Sequence, residues 1–161
     1  MSRMKPTVYI ETTIPSFCHE TRKDHESLAR KAWTEEWWKY YRSRYDCFTS
    51  AATIAELRRG SHPKRQAKMD MVSGLPRLEI NDAVEEIVEV YISNTLMPRD
   101  QLGDALHLAV ASYYKIDFLL TWNCVHLANA HKQVHIRRIN ERLRLFTPEL
   151  VTLLELIDQT P

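Results

Sequence analysis

Asp117-Phe118-Leu119-Leu120-Thr121-Trp122 is an apolar run that does not alternate. A strand with one wet face carries polar residues at every second position. A strand covered on both faces has no such positions, and that is the pattern of a parallel sheet packed between helices. Val8-Tyr9-Ile10, β-branched and aromatic and bounded by Pro6 and by Thr12-Thr13 ahead of Pro15, reads as a short central strand, and Cys47-Phe48-Thr49 as a second short strand. Leu78-Glu79-Ile80 is a further strand candidate.

Segments of helical period lie between these runs. From about His25 to Tyr41, Leu28, Ala29, Ala32, Trp33, Trp37, Tyr40 and Tyr41 recur at three- and four-residue spacing, predicting a helix that lays this stripe on the sheet. Trp37 and Trp38 are adjacent, so one of them leaves the stripe. Ser50 is placed to cap a helix from Ala51 to Arg59 that Gly60 ends. Asn81 or Asp82 caps another, with Val84, Ile87, Val88, Tyr91 and Ile92 on one side. A helix from about Arg99 to Tyr114 is apolar all round between Ala105 and Ala111 except at His107, which predicts burial in the middle of the molecule. The C-terminal third reads as a helix from about Lys132 to Leu143, a short strand near Leu145-Phe146 and a last helix from Pro148. Alternation of this kind predicts a layered α/β domain with a mostly parallel sheet.

A chain of 161 residues that is 44% hydrophobic has material for one substantial core rather than two, predicting a single domain over 1–161. With 22 basic and 21 acidic residues, no global field favours nucleic acid or an anionic membrane, and any such binding needs a local patch. Cys18, Cys47 and Cys124 form no CxxC pair, so reduced thiols are expected. No apolar stretch approaches the roughly 18 residues of a membrane span, and MSRMKP leads into a strand without an apolar signal core. The expectation is a soluble, cytoplasmic protein.

Parallel sheets bind ligands beyond the carboxyl ends of their strands. Only Gly60, Gly74 and Gly103 are present, so there is no phosphate loop and no GxGxxG turn. The strand ends carry acids instead. Glu11 and Thr13 follow the first strand, Glu56 lies in the helix after the second, Asp104 opens the buried helix, and Asn123 follows Thr121-Trp122. Each has a plain structural explanation taken singly: a strand end, a pair with Arg59, a helix N-terminus. Glu11 is flanked by Val8–Ile10 and Asp104 by Ala105–Leu108, so both would be poorly solvated; an unpartnered buried carboxylate costs several kcal/mol, and a group of them would repel one another or stay protonated. A hard divalent cation, Mg²⁺ or Mn²⁺, resolves that conflict through oxygen ligands. His131 and His135, with Cys124 and His126 nearby, lack the CxxC or HExxH spacing of a zinc site.

Four stretches also carry a family resemblance: Val8-Tyr-Ile-Glu-Thr-Thr13, Ala55-Glu-Leu-Arg-Arg-Gly60, Gly103-Asp-Ala-Leu-His-Leu-Ala109 and Leu119-Leu-Thr-Trp-Asn123. In this order, over nearly the whole chain, they resemble PIN-domain proteins, and within them the VapC-type toxins of prokaryotic toxin–antitoxin pairs. The resemblance implies a three-layer α/β/α fold, an acidic metal site and ribonuclease activity. Glu11 stands where the family usually has Asp, Glu56 and Asp104 match directly, and Asn123 stands where many members have a fourth Asp. Thr13 and Thr121 match hydroxyl positions beside the acids. The mechanism implied is metal-assisted hydrolysis of RNA phosphodiesters, with Glu11 and Asp104 binding the ion and Glu56 positioning or deprotonating water. Asn123 would make an outer contact, and Thr13 and Thr121 would orient carboxylates.

Arg58 and Arg59, within a turn of Glu56, are the basic residues best placed for RNA; Lys64, Arg65 and Lys68, and Arg137, Arg138, Arg142 and Arg144, are further cationic groups. The resemblance further implies a cognate antitoxin protein that occupies the acidic groove, and a homodimer. The alternative is a PIN-fold module that binds RNA or protein and has lost turnover through Glu11 and Asn123.

Overall fold

A computed structural model of the chain describes residues 4–60, 64–97 and 102–157. Five strands, β1 (Thr7–Ile10), β2 (Asp46–Ser50), β3 (Arg77–Leu78), β4 (Phe118–Leu120) and β5 (Glu149–Val151), form one parallel sheet in the order β3-β2-β1-β4-β5. β1 is central. Val8 pairs with Cys47 on one side and Phe118 on the other, and Ile10 pairs with Leu120. Since successive side chains point to opposite faces, Val8, Ile10, Leu120 and Val151 enter one apolar core and Tyr9, Leu119 and Leu150 the other.

The first core is closed by α1 (Thr13–Cys18), α2 (His25–Tyr40), α3 (Ala51–Arg59) and α4 (Arg65–Ser73), through Ile14, Trp37, Ile54, Leu57 and Val72. The second is closed by α5 (Asp82–Ser93), α6 (Leu102–Tyr113) and α7 (Ala130–Arg142), through Val84, Tyr91, Leu108 and Ile136. The result is the three-layer α/β/α arrangement. Val8, Tyr9, Ile10, Leu119 and Leu120 have no exposed surface, as their unalternating runs predict. No helix among the described residues is long and apolar enough to cross a membrane.

Two helix starts are sharply determined. The Ser50 hydroxyl accepts from Ala52 N at 3.2 Å, and Asn81 Oδ1 accepts from Val84 N at 3.0 Å, each satisfying a donor that the first helical turn leaves unpaired. Because Ser50 is also the last residue of β2, α3 leaves the sheet at once and carries Glu56 back over its carboxyl edge.

Several expectations are corrected. α2 does not lay the stripe Leu28, Ala32, Trp33 and Tyr40 on the sheet; these are exposed, while Ser27, Thr34 and Trp37 are buried. Thr34 tolerates burial because its hydroxyl donates to Arg30 O at 2.6 Å and accepts from Trp122 Nε1 at 2.9 Å. Trp38 leaves the core centre and is half-buried. Leu145-Phe146 is not a strand, and Pro148 opens no helix: the last strand is β5, followed by a short 3-10 turn at Leu153–Glu155. Thr121 N donates to Val151 O at 3.0 Å and Glu149 N to Asp117 O at 2.9 Å, so β5 covers what would be an open edge of β4. Leu78-Glu79-Ile80 contributes only Leu78 to a two-residue edge strand. α1 and α4 have no counterpart among the expected elements. Pro15 sits in the first turn of α1, where a missing N–H costs nothing, and α4 buries only Val72 and the Lys68 stem, too little to mark a period. The expected helix start near Arg99 lies outside the described residues.

Candidate active site

The carboxyl ends of β1, β2 and β4 share one edge of the sheet, and continuing the strand alternation past Ile10 puts Glu11 on the side of Tyr9, toward α6. Glu11 is 2% exposed. Its Oε1 accepts from Thr13 N at 2.8 Å and from the Thr13 hydroxyl. That hydroxyl in turn accepts from Trp122 N at 2.8 Å and lies 3.5 Å from the Thr121 hydroxyl. The two threonines therefore tie the end of β1 to the end of β4 directly behind the carboxylate. Burial is the dominant influence on Glu11 and, with a contribution from the charge of Glu56, outweighs His107 and the Thr13 bonds to raise its pKa to about 7.

Glu56 projects from α3 toward α6. Its Oε1 is 2.7 Å from His107 Nε2, and the carboxylate lies over Gly103, where an added Cβ would come within 2.7 Å of Oε1. Gly103 and His107 are one turn apart on α6, so the carboxylate sits between a missing side chain and a ring. Burial works against the Glu56 charge, yet the hydrogen bond and charge of His107, helped by Thr12 and Arg59, hold the carboxyl below its ordinary value. His107 has no exposed surface. Its burial is outweighed by Tyr9, Glu56 and Glu11, which raise its pKa well above the usual imidazole value. Behind the ring, Nδ1 is 2.7 Å from the Tyr9 hydroxyl, itself 2.6 Å from the Ser50 hydroxyl.

Asp104 and Asn123 form the third side. Asn123 Nδ2 donates to Asp104 Oδ2 at 3.0 Å, while Asn123 Oδ1 accepts from Val125 N at 3.2 Å and His126 N at 3.0 Å. The amide oxygen is thus occupied in shaping its own loop, and the amide nitrogen is what faces the site. Thr121 Oγ1 accepts from Asn123 N at 2.9 Å and fixes where that loop departs. Burial raises the Asp104 pKa, with Glu56 adding to it and His107, His126 and Asn123 opposing it.

All four polar residues expected at the strand ends therefore gather at one edge, together with Thr13 and Thr121 behind them. Arg58 and Arg59, in the last turn of α3, are exposed. The residue missed as a site member is His107. The signal was present in Gly103-Asp-Ala-Leu-His107: one polar residue in an apolar helix, three positions after an acid and hence on its side of the helix. Its presence also modifies the charge conflict read from the sequence, because an imidazole bonded to Glu56 favours the ionised form of all three carboxylates.

In donor type and charge the remaining groups fit a hard divalent cation. Glu11 and Asp104 are carboxylates whose ionisation burial opposes and each other's neighbour Glu56 opposes further. Near Asp104, the buried His126 Nδ1 has no hydrogen-bond partner. Among the described residues no three His, Cys, Asp or Glu side chains are grouped so that they could hold an ion together, so the fit rests on donor type and charge. Comparison of the chain with protein-family models and with curated protein sequences returns no match.

Proposed function

We propose that this chain is a Mg²⁺- or Mn²⁺-dependent ribonuclease of the PIN-domain kind, the toxin of a toxin–antitoxin pair, hydrolysing RNA phosphodiester bonds. The observation that carries the reading is the gathering of Glu11, Glu56, Asp104 and Asn123 from four separate segments at the carboxyl edge of one parallel sheet, where such folds bind their ligands. Glu11 and Asp104 would hold the cation. When bound, the ion would supply Lewis-acid stabilisation of charge on the attacked phosphate. Glu56 has the properties of the group that orients the attacking water and accepts its proton: it is held in the ionised form and its side chain is 27% exposed, enough to meet solvent. Asn123 holds Asp104 by one oxygen and Thr13 holds Glu11 by one oxygen, which leaves the second oxygen of each to the ion. Arg58 and Arg59, exposed one turn beyond Glu56, would meet RNA phosphates. An antitoxin segment covering the acidic edge, a second copy of the chain as partner, and action in the cytoplasm belong to the same proposal.

One observation favours the second reading, a PIN-fold module that binds RNA or protein without turnover. Glu11 carries a pKa near 7, so at neutral pH about half the molecules would have to release a proton before binding an ion. The deciding experiment is incubation of the purified chain with RNA in Mg²⁺, in Mn²⁺ and in EDTA. Cleavage that needs the metal and disappears in Asp104→Ala is the expected result. Absence of cleavage by the unaltered chain favours the second reading, and undiminished cleavage by Asp104→Ala removes the site.

A further inference from the structure

We infer that His107 is a positioning residue: clamped from behind by Tyr9 and Ser50, its imidazole fixes Glu56 through Oε1 and leaves Oε2 as the oxygen available to water. The inference rests on the reading of Glu56 as the group that handles the attacking water.

With a neutral His107 ring, one set of hydrogen-bond directions gives every donor an acceptor. The backbone N–H of Ala52 can only donate, and it donates to Ser50 Oγ. The Ser50 hydroxyl keeps one hydrogen, and the Tyr9 hydroxyl oxygen is 2.6 Å away to receive it. The Tyr9 hydrogen is then free for His107 Nδ1 at 2.7 Å. With Nδ1 accepting, the ring hydrogen is on Nε2, 2.7 Å from Glu56 Oε1. Every donor in the series has one acceptor, and each step points from the capped start of α3 toward Glu56, a residue of that same helix. The raised His107 pKa favours a second proton on the ring; that proton turns the Tyr9 and Ser50 hydroxyls round but leaves Nε2–H on Glu56 Oε1, because an ionised carboxylate can only accept. The clamp therefore holds in either charge state of His107.

Position and burial make the clamp rigid. Tyr9, Ser50 and His107 all have no exposed surface, so water does not compete for these bonds, and buried networks of this kind are strongest when every member is satisfied. Tyr9 also meets the His107 ring edge-on, with centroids 5.5 Å apart. Gly103 supplies the remaining boundary, since any side chain there would collide with Oε1. A carboxylate held at one oxygen by a fixed N–H, with a glycine beneath it, has little freedom left in its terminal torsion. Orientation of this kind is what converts a nearby base into an effective one.

The test uses the full chain and two independent readouts. In metal-free protein, carbon-13 NMR follows the Glu56 carboxyl and nitrogen-15 NMR follows the His107 ring, with Glu56→Gln identifying the carboxyl signal. His107→Leu and Tyr9→Phe are expected to move the Glu56 titration midpoint upward, and His107→Gln, whose amide can still donate, to move it less. In the RNA cleavage assay His107→Leu is expected to lower kcat by roughly 100-fold, the lower end for loss of a positioned acid or base, with KM changed less than about threefold; His107→Gln recovers part of kcat. If His107→Leu does not fold, Tyr9→Phe and His107→Gln decide by the same readouts. An unmoved Glu56 midpoint in the folded variants overturns the clamp whatever the cleavage rates do. Absence of cleavage by the unaltered chain refutes the ribonuclease reading instead, and the NMR result still decides whether His107 governs Glu56.

Discussion

Replacing Glu11 by Gln should make the metal-free protein more stable, but only at the pH where the glutamate carries charge. Glu11 has an ordinary pKa of 4.5 when unfolded and about 7 in the folded state, because burial disfavours its anion. Below about 4.5 the carboxyl is protonated in both states and contributes no difference. Between 4.5 and 7 the folded state holds a proton that the unfolded state has released, so stability falls as pH rises. Above 7 the folded state carries a buried charge, and the whole penalty is present. The span from 4.5 to about 7, at ~1.4 kcal/mol per pH unit, sets that penalty at about 3 kcal/mol. Glutamine keeps the length of the side chain and an oxygen to accept from Thr13 N and the Thr13 hydroxyl, so Glu11→Gln removes the charge and little else. Urea unfolding in EDTA at pH 8 should show the variant more stable by up to about 3 kcal/mol with an unchanged m-value. The corresponding rise in Tm is roughly 6–12 °C for a chain of this size. At pH 4.5 the two proteins should match. Adding Mn²⁺ at pH 8 should stabilise the unaltered protein and narrow the gap, because a ligand bound only by the folded state raises stability with its concentration. A variant that is no more stable at pH 8, or equally favoured at both pH values, would refute the assignment of Glu11 as a charged group held in a dry site.

Asn123→Asp places a second carboxylate where an amide now donates to Asp104 at 3.0 Å, while its Oδ1 can still accept from Val125 and His126 N–H. The expected loss in EDTA at pH 8 is about 1–3 kcal/mol, recovered in Mn²⁺ together with tighter metal binding by calorimetry; a variant as stable as the original without metal would sink this expectation. Gly103→Ala should lower stability despite the ~1 kcal/mol that alanine gains over glycine within a helix, because its Cβ would stand 2.7 Å from Glu56 Oε1. Thermal unfolding and the Glu56 carboxyl signal read this out, and a stabilised variant with an undisturbed Glu56 would show that the carboxylate is not packed against α6.

Much of the layered architecture is legible in single segments. Val8-Tyr9-Ile10 and Phe118-Leu119-Leu120 read as strands covered on both faces because both faces of each are occupied by apolar side chains, and burial within an element leaves its mark in the local pattern. Ser50 and Asn81 read as caps because the donors they satisfy lie two and three residues away. Glu11, Glu56, Asp104 and Asn123 stand out for a similar reason: polar groups at strand ends and in apolar helices conflict with their immediate neighbours.

What the local pattern leaves open is every choice between faces and every partnership across elements. Thr34 is buried and Trp33 exposed because Trp122, 88 residues from Thr34, presents an indole N–H to the threonine. β5 forms at Glu149–Val151 because β4 needs a neighbour on its open side. Tyr9 is 98 residues from His107, and His107 is 51 from Glu56; only the sheet order β3-β2-β1-β4-β5 brings β1 and β2 under α6 together. By itself, then, the sequence determined which residues avoid water and which polar groups resist that, since solvation acts residue by residue. The tertiary structure alone decided which of those polar groups meet, and so which carboxylate is held ionised by an imidazole and which is left near pH 7 by burial, because hydrogen bonds and charge interactions depend on distances that the chain closes only when it folds.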